Sequence, residues 1–265
     1  MAARTGAART PSRLLGYQDC FSSTIRETGL IHWIRDEQTA TQRLGHDPIA
    51  LQVVKGCITR CVEGAGSIHY DGRYDDPVVE MAEPGGPQLF RNLSDGQRIM
   101  LTLVADMARR AATLNPHLGS DAIRGTPGVV LIDELDLHLH PRWQRRIISN
   151  LKEAFPEVQF IVTSHSPQLI GEALPEEIRI LEQHQSIIPP RSYGLDSSRV
   201  VEELMGAPSR DESVADRLSQ LSSAVDAEDF PVAEDLLAQL ETTLGPDDPE
   251  VTRARALMSF LVSSR

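Results

Sequence analysis

Lysine is nearly missing from this chain: only Lys55 and Lys152 accompany 24 arginines, a bias that reads as GC-rich coding rather than as a functional device. Cysteine is scarce as well. The three present (Cys20, Cys57 and Cys61) make no metal or disulfide framework, and Cys57 and Cys61 stand one helical turn apart. That usage suits unpaired thiols in a reducing, cytoplasmic setting. No apolar run approaches the ~20 residues needed to cross a bilayer, so no membrane span is expected. Low-complexity tracts and internal repeats are also absent. A net charge of −12 excludes a protein that coats nucleic acid with its whole surface. The acid is uneven: residues 193–265 hold 15 acidic and 6 basic side chains, a net −9. The remainder is close to neutral and has room for a local basic face.

What is present is an ordinary globular composition, 40% hydrophobic and 24% charged over 265 residues, enough for one large domain or one domain with a small appendage. Residues 1–13 are basic, acid-free and lack the apolar core of a secretory signal, and they read as a disordered tail. Residues 14–62 read as helical, with Leu30, Ile31, Trp33, Ile34, then Ile49, Val53, Val54 and Ile58 at helical spacing. Short strands are expected at Ser67–Tyr70 and Val78–Met81, between Gly-, Asp- and Pro-rich punctuation. After the linker at 187–192, residues 193–265 read as an acidic helical region with four short helices. The main domain is therefore expected at 14–186, divided into 14–127 and a core at 128–186.

The core can be built from physics. GVVLIDE (128–134) is a continuous apolar run ending in two carboxylates, which suits a strand buried on both faces of a parallel sheet. Pro141 opens a helix that closes near Phe155-Pro156, and VQFIVTSH (158–165) is a second such strand. Strand, helix, strand predicts a right-handed βαβ unit. Ligands of such sheets bind at the carboxyl ends of the strands, where Asp133, Glu134 and His165 should meet. The expected fold class is therefore α/β.

Each candidate has a plain reading beside a chemical one. Asp133 and Glu134 end a strand, where acids are common; adjacent carboxylates there also suit a nucleotide hydrolase, one near magnesium and one polarising water. His165 is a turn residue, or a side chain that reaches a γ-phosphate. In NLSDGQR (92–98), Ser94 and Gln97 form a capping-box pair and open a helix that runs to Asn115-Pro116. Gly96 in its first turn costs stability but lets a ligand approach the backbone, and the helix N-terminus favours phosphate. His138-x-His140 suggests a metal pair, but a role at an interface or in packing is the better account.

These pieces together resemble a family. LSDGQR is similar to the ABC signature, GVVLIDE to Walker B, LDLHLHP (135–141) to the D-loop, and IVTSHSP (161–167) to the switch-histidine loop. The chain resembles ABC-type ATPases of the RecF/OLD/SMC group, and its wording is closer still to the AAA_21/AAA_15 ATPases of anti-phage systems such as Septu and some retrons. The resemblance implies a head domain that dimerises around ATP and Mg2+. Ser94 and Gly96 would close on a partner's nucleotide, Asp133 would contact the metal indirectly and Glu134 would orient water. Asp136 would cross the dimer interface, and His165 would sense the γ-phosphate. It further implies a homodimer or larger assembly gating an effector such as an HNH nuclease, with nucleic acid met through that assembly.

The phosphate-cradling pattern GxxxxGK[ST] occurs nowhere in the sequence; GAG (64–66) and EPGGP (83–87) lack the following Lys-Ser/Thr. The expectation is a partial ABC-type head whose N-terminal P-loop lobe is missing. A fragment, a lobe on a separate polypeptide, and a degenerate head that binds without turnover all fit. The alternatives to a defence ATPase subunit are a non-catalytic interaction module and a RecF-type DNA-repair ATPase. The latter fits less well, because no coiled-coil arm is visible. A Toprim nuclease is not expected, since no strand followed by an acid-x-acid pair occurs in the C-terminal region.

Overall fold

The computed structural model describes residues 12–20, 22, 27–82 and 85–263, of which 263 is described by its backbone alone. The expected tail therefore lies outside the described residues up to position 11. Ser12 and Arg13 already belong to structure: Ser12 caps a 3-10 turn, Arg13–Tyr17. Two compact units meet between Leu195 and Asp196.

The first unit begins with helices α1 (Glu27–Leu44) and α2 (Ile49–Cys61), followed by an antiparallel meander of β1 (Ala65–Asp71), β2 (Asp76–Met81) and β3 (Gly86–Leu89). Helix α3 (Asp95–Leu114) and the short α4 (Ala122–Gly125) lead into β4 (Gly128–Ile132). Helix α5 (Pro141–Ala154) connects β4 to β5 (Val158–Val162), which pairs with it in parallel, Gly128 opposite Val158 and Ile132 opposite Val162. Short α6 (Pro167–Ile170) and a hairpin of β6 (Ile180–Glu182) and β7 (Gln185–Ile187) complete the unit. The mixed α/β class and the βαβ core are as expected.

One continuous core holds the unit together. Leu30 and Ile34 of α1, Val54 and Ile58 of α2, Leu101 and Val104 of α3, and Ile147 and Leu151 of α5 all lie in it. These positions recur three or four residues apart, so each helix turns one apolar face inward. Leu135, Leu139 and Leu169 bring the loops after β4 and β5 into the same core. Arg110 ties down the N-terminal turn by donating to the carbonyls of Gly16 (3.0 Å) and Gln18 (2.8 Å).

Two expectations need correction. Both core strands stop early, at Ile132 and Val162, so Asp133, Glu134 and His165 lie in the loops that follow. Glu134 adopts φ 51°, a left-handed backbone that no strand accommodates. The sheet is also not buried on both faces. Val130, Ile132, Val158, Phe160 and Val162 pack inward, whereas Val129, Leu131 and Ile161 are 61%, 74% and 52% exposed. A helix layer lies under one face only; among the described residues nothing packs over the other.

The second unit contains α7 (Ser197–Glu203), α8 (Glu212–Asp226), α9 (Phe230–Leu244) and α10 (Pro249–Ser263). Asp196, Asp211 and Asp229 cap the first three by accepting amide hydrogen bonds from Arg199, Ser213 and Val232. Leu221, Val225, Ala233, Leu237, Leu240, Val251 and Met258 form its core. Three of the fifteen acids in residues 193–265 therefore serve as helix caps. No helix among the described residues is long and apolar enough to cross a membrane.

Candidate functional site

The site lies where β4 and β5 end. Because Ile132 and Val162 are in register, the next residues of the two strands emerge side by side. The Thr163 amide donates to the Ile132 carbonyl (3.0 Å), and the Leu135 amide donates back to the Thr163 carbonyl (3.0 Å). The Thr163 hydroxyl then serves both acids. It donates to an Asp133 carboxylate oxygen and accepts from the Glu134 amide (2.8 Å). One side chain thus fixes Asp133 and the backbone of Glu134 against the loop that carries His165. The Asp133, Glu134 and His165 side chains are all exposed.

Thr163 was not among the residues singled out by sequence. The available signal was weak: a β-branched hydroxyl residue one step past a buried strand, beside a strand ending in acid. Its partners lie about thirty positions away, beyond any local rule.

The loop from Leu135 to His140 is held from three sides. Leu135 and Leu139 are buried. His138 adopts φ 63° and turns its carbonyl toward α3, where a Cβ on Gly96 would lie 2.4 Å from that oxygen. His140 caps α5, its Nδ1 accepting from the Arg142 amide (3.2 Å). Of the histidine pair, His138 supplies a backbone contact and His140 a cap, and both side chains are exposed. Asp136 is half-buried, and its Oδ1 is enclosed without a hydrogen-bond partner. Such an orphan acceptor is costly unless something outside the described residues reaches it.

Ser94 and Gly96 sit at the start of α3, as the capping-box reading expects. The Ser94 hydroxyl accepts from the Gln97 amide (3.3 Å), and the Gln97 side chain accepts from the Ser94 amide (2.9 Å). Gly96 is buried, so its missing side chain already admits the His138 carbonyl. The start of α3 and the loop after β4 are therefore packed on each other within one chain.

Comparison with known proteins now has a geometry to attach to. Residues 82–171 match the family model described as an AAA domain, putative AbiEii toxin, Type IV TA system. The matched stretch spans the capped helix, both core strands and all of Ser94, Gly96, Asp133, Glu134, Asp136 and His165. A probable ATPase of retron Ec83 from Escherichia coli is 40% identical over 161 residues, covering 59% of this chain and 29% of the relative. The Septu protein PtuA of Bacillus mycoides (strain KBAB4) is 39% identical over 96 residues, covering 36% of this chain and 13% of the relative. The chain thus spans less than a third of the length of either relative. A solved chain from work on ATP-driven dimerization and DNA-stimulated activation of SMC ATPases aligns at 15% identity and a TM-score of 0.40, covering 64% of this chain and 96% of that one.

Magnesium and ATP are the groups that the ATPase resemblance implies. Asp133 offers one exposed carboxylate, steadied by a hydroxyl. Among the described residues no group of three His, Cys, Asp or Glu side chains is placed to hold a metal. A single carboxylate such as Asp133 suits magnesium, which is commonly held by one or two carboxylates, water and substrate phosphates rather than by an all-protein cage. For ATP the fit is partial. The α3 N-terminus offers amides with no intrahelical partner, but no GxxxxGK[ST] loop exists in the sequence.

Proposed function

We propose that this chain supplies the signature, acid-pair and switch-histidine parts of an ABC-type ATPase site, and that it works within a nucleotide-sandwich dimer or larger assembly in an anti-phage system. The observation that carries the reading is the Thr163 brace, which joins Asp133 and Glu134 to the loop bearing His165. Magnesium-bound ATP, when present, would supply the phosphoryl group and the cation that offsets its charge. Asp133 would hold the cation through water, and Glu134 would orient the attacking water and accept its proton. His165 would contact the γ-phosphate. Ser94 and the first amides of α3 would face a nucleotide held by the other subunit. Asp136, whose Oδ1 has no partner within the described residues, would find one across that interface.

On this reading the phosphate-cradling loop comes from outside these 265 residues. The open face of Val129, Leu131 and Ile161 favours the same conclusion, because a parallel sheet is stable with cover on both faces. The names of the retron and Septu relatives support a defence role, in which hydrolysis would gate an effector such as an HNH nuclease. The test is hydrolysis by the reconstituted assembly: Glu134→Gln should abolish turnover while ATP binding persists. Full residual hydrolysis would sink the proposal.

A second reading has one observation in its favour. Without its own P-loop, the chain can act as a non-catalytic interaction module. Tight, magnesium-dependent ATP binding by the purified chain alone would count against that reading.

A further inference from the structure

Gln144 lies on the second turn of α5, half-buried, and touches none of the groups assigned above to ATP. Its side chain nevertheless reaches both loops that carry them. Nε2 donates to the Asp136 carbonyl (3.1 Å) and to the Leu139 carbonyl (3.0 Å). Oε1 accepts from the Ser166 hydroxyl (2.7 Å). Ser166 is itself buried; it follows His165 directly and caps α6 by accepting from the Leu169 amide (3.2 Å).

A primary amide suits this position for a definite reason. It has donors on one end and an acceptor on the other. The loop after β4 presents carbonyls, and the loop after β5 presents a hydroxyl. A carboxylate in the same place would keep the hydroxyl contact and oppose two carbonyls; an alkyl side chain would satisfy neither. The helix beneath is anchored in the core through Ile147 and Leu151, so the amide is held by a rigid element. Thr163 joins the two loops at the acid pair, and Gln144 joins them again on the far side, where Asp136 and Ser166 lie.

We infer that Gln144 is a positioning residue that makes the Asp136 loop and the His165 loop move as one body, so that contact with a nucleotide at His165 is felt at Asp136. The coupling is a property of this chain; its consequence for turnover rests on the ATPase reading above.

Amide-resolved hydrogen exchange on the intact 265-residue chain tests the coupling without any nucleotide. Two reporters suffice: the Leu139 amide, bonded to the Asp136 carbonyl, and the Leu169 amide, bonded to Ser166. Gln144→Ala should speed exchange of both by about tenfold, the loss of roughly one net hydrogen bond. Gln144→Glu should speed Leu139 and spare Leu169. Ser166→Ala is the decisive variant: besides uncapping Leu169, it should speed exchange at Leu139, 27 residues away. If Ser166→Ala loosens Leu169 alone, or Gln144→Ala leaves both reporters within about twofold of wild type, the coupling is refuted. Should the alanine variant fold poorly, Gln144→Met keeps the side-chain volume and carries the same expectation. In the reconstituted assembly, Gln144→Ala should lower kcat about tenfold with KM for ATP within about twofold. Unchanged kcat beside faster exchange would overturn the functional half. A wild-type assembly with no Glu134-dependent hydrolysis would instead overturn the ATPase reading and leave the exchange result standing.

Discussion

Replacing Gly96 with alanine sets two physical rules against each other. Gly96 lies in the first turn of α3, and exchanging a helical glycine for alanine ordinarily stabilises by up to about 1 kcal/mol, part of it from a less flexible unfolded chain. Here the added Cβ would lie 2.4 Å from the His138 carbonyl oxygen, where ordinary contact begins at 3.4 Å. The oxygen must therefore retreat by about an ångström. It belongs to a loop fixed by two buried leucines, Leu135 and Leu139, and by the hydrogen bond from Gln144 to the Leu139 carbonyl. Overpacking of this kind costs about 1–3 kcal/mol, so the net expectation is a loss of about 1–2 kcal/mol. Urea unfolding followed by tryptophan fluorescence isolates the effect, because the chain's tryptophans, Trp33 and Trp143, both lie in the unit that ends at Leu195. The midpoint should fall while the slope stays constant. An alanine variant as stable as wild type, or more so, would show that helix propensity dominates and that the close approach is not real.

The Thr163 brace should be equally measurable: Thr163→Val keeps the shape and removes both hydroxyl bonds, at about 1–2 kcal/mol locally. Exchange of the Glu134 amide should quicken, and an unchanged rate would dismiss the brace. Thiol labelling of the native chain should give one fast equivalent, from the exposed Cys20, because Cys57 and Cys61 are buried. The hydrogen bond with Cys61, together with burial, holds the Cys57 thiol well above its usual range; two fast equivalents would contradict the packing of α2. Asp47 accepts from Lys55 (2.7 Å) and Thr41 (3.0 Å), and the Lys55 contact lowers its pKa against the opposing effect of burial. Its contribution is therefore present above the unfolded value near 3.9 and is lost as pH falls through the lower folded value. The site is partly exposed, so the contribution is about 0.5 kcal/mol. The gap in urea midpoint between wild type and Asp47→Asn should narrow from pH 7 to pH 3, and a gap that widens would reverse the sign of the argument.

What was legible in the sequence was local. The Ser94–Gln97 capping box, the end of α3 at Asn115-Pro116 and the start of α5 at Pro141 each depend on a few neighbouring residues, and each appears as expected. The strand ends were less legible. An apolar run passing into Asp-Glu or Thr-Ser-His carries no mark of where pairing stops, and the chain leaves the sheet at Ile132 and Val162. Thr163 and Gln144 escaped notice because their partners lie in other segments. The sequence reads Gly96 as room for a ligand at the backbone, but that space is taken by a carbonyl 42 positions away, and nothing near Gly96 in the sequence announces that.

The open sheet face carries the argument one step further. A sheet meant to have one wet side alternates polar and apolar residues, as one-sided antiparallel sheets do. GVVLI does not alternate, and VQFIV of β5 places one polar residue, Gln159, on the exposed face; the structure divides these residues into an inward set around Val130, Ile132, Phe160 and Val162 and an outward set of Val129, Leu131, Gln159 and Ile161. An apolar strand face and edge left in water is an aggregation hazard that soluble proteins blunt with charge or proline, and the outward set contains neither. The pattern is thus written for a sheet with two covers, and the helices α1, α2, α3 and α5 of the first unit supply one. The acids and His165 leave the sheet at its carboxyl end, where a second layer would also border the site. On the ATPase reading, the cover that Val129, Leu131 and Ile161 call for and the phosphate-binding loop that Asp133 and Glu134 call for would be a single requirement.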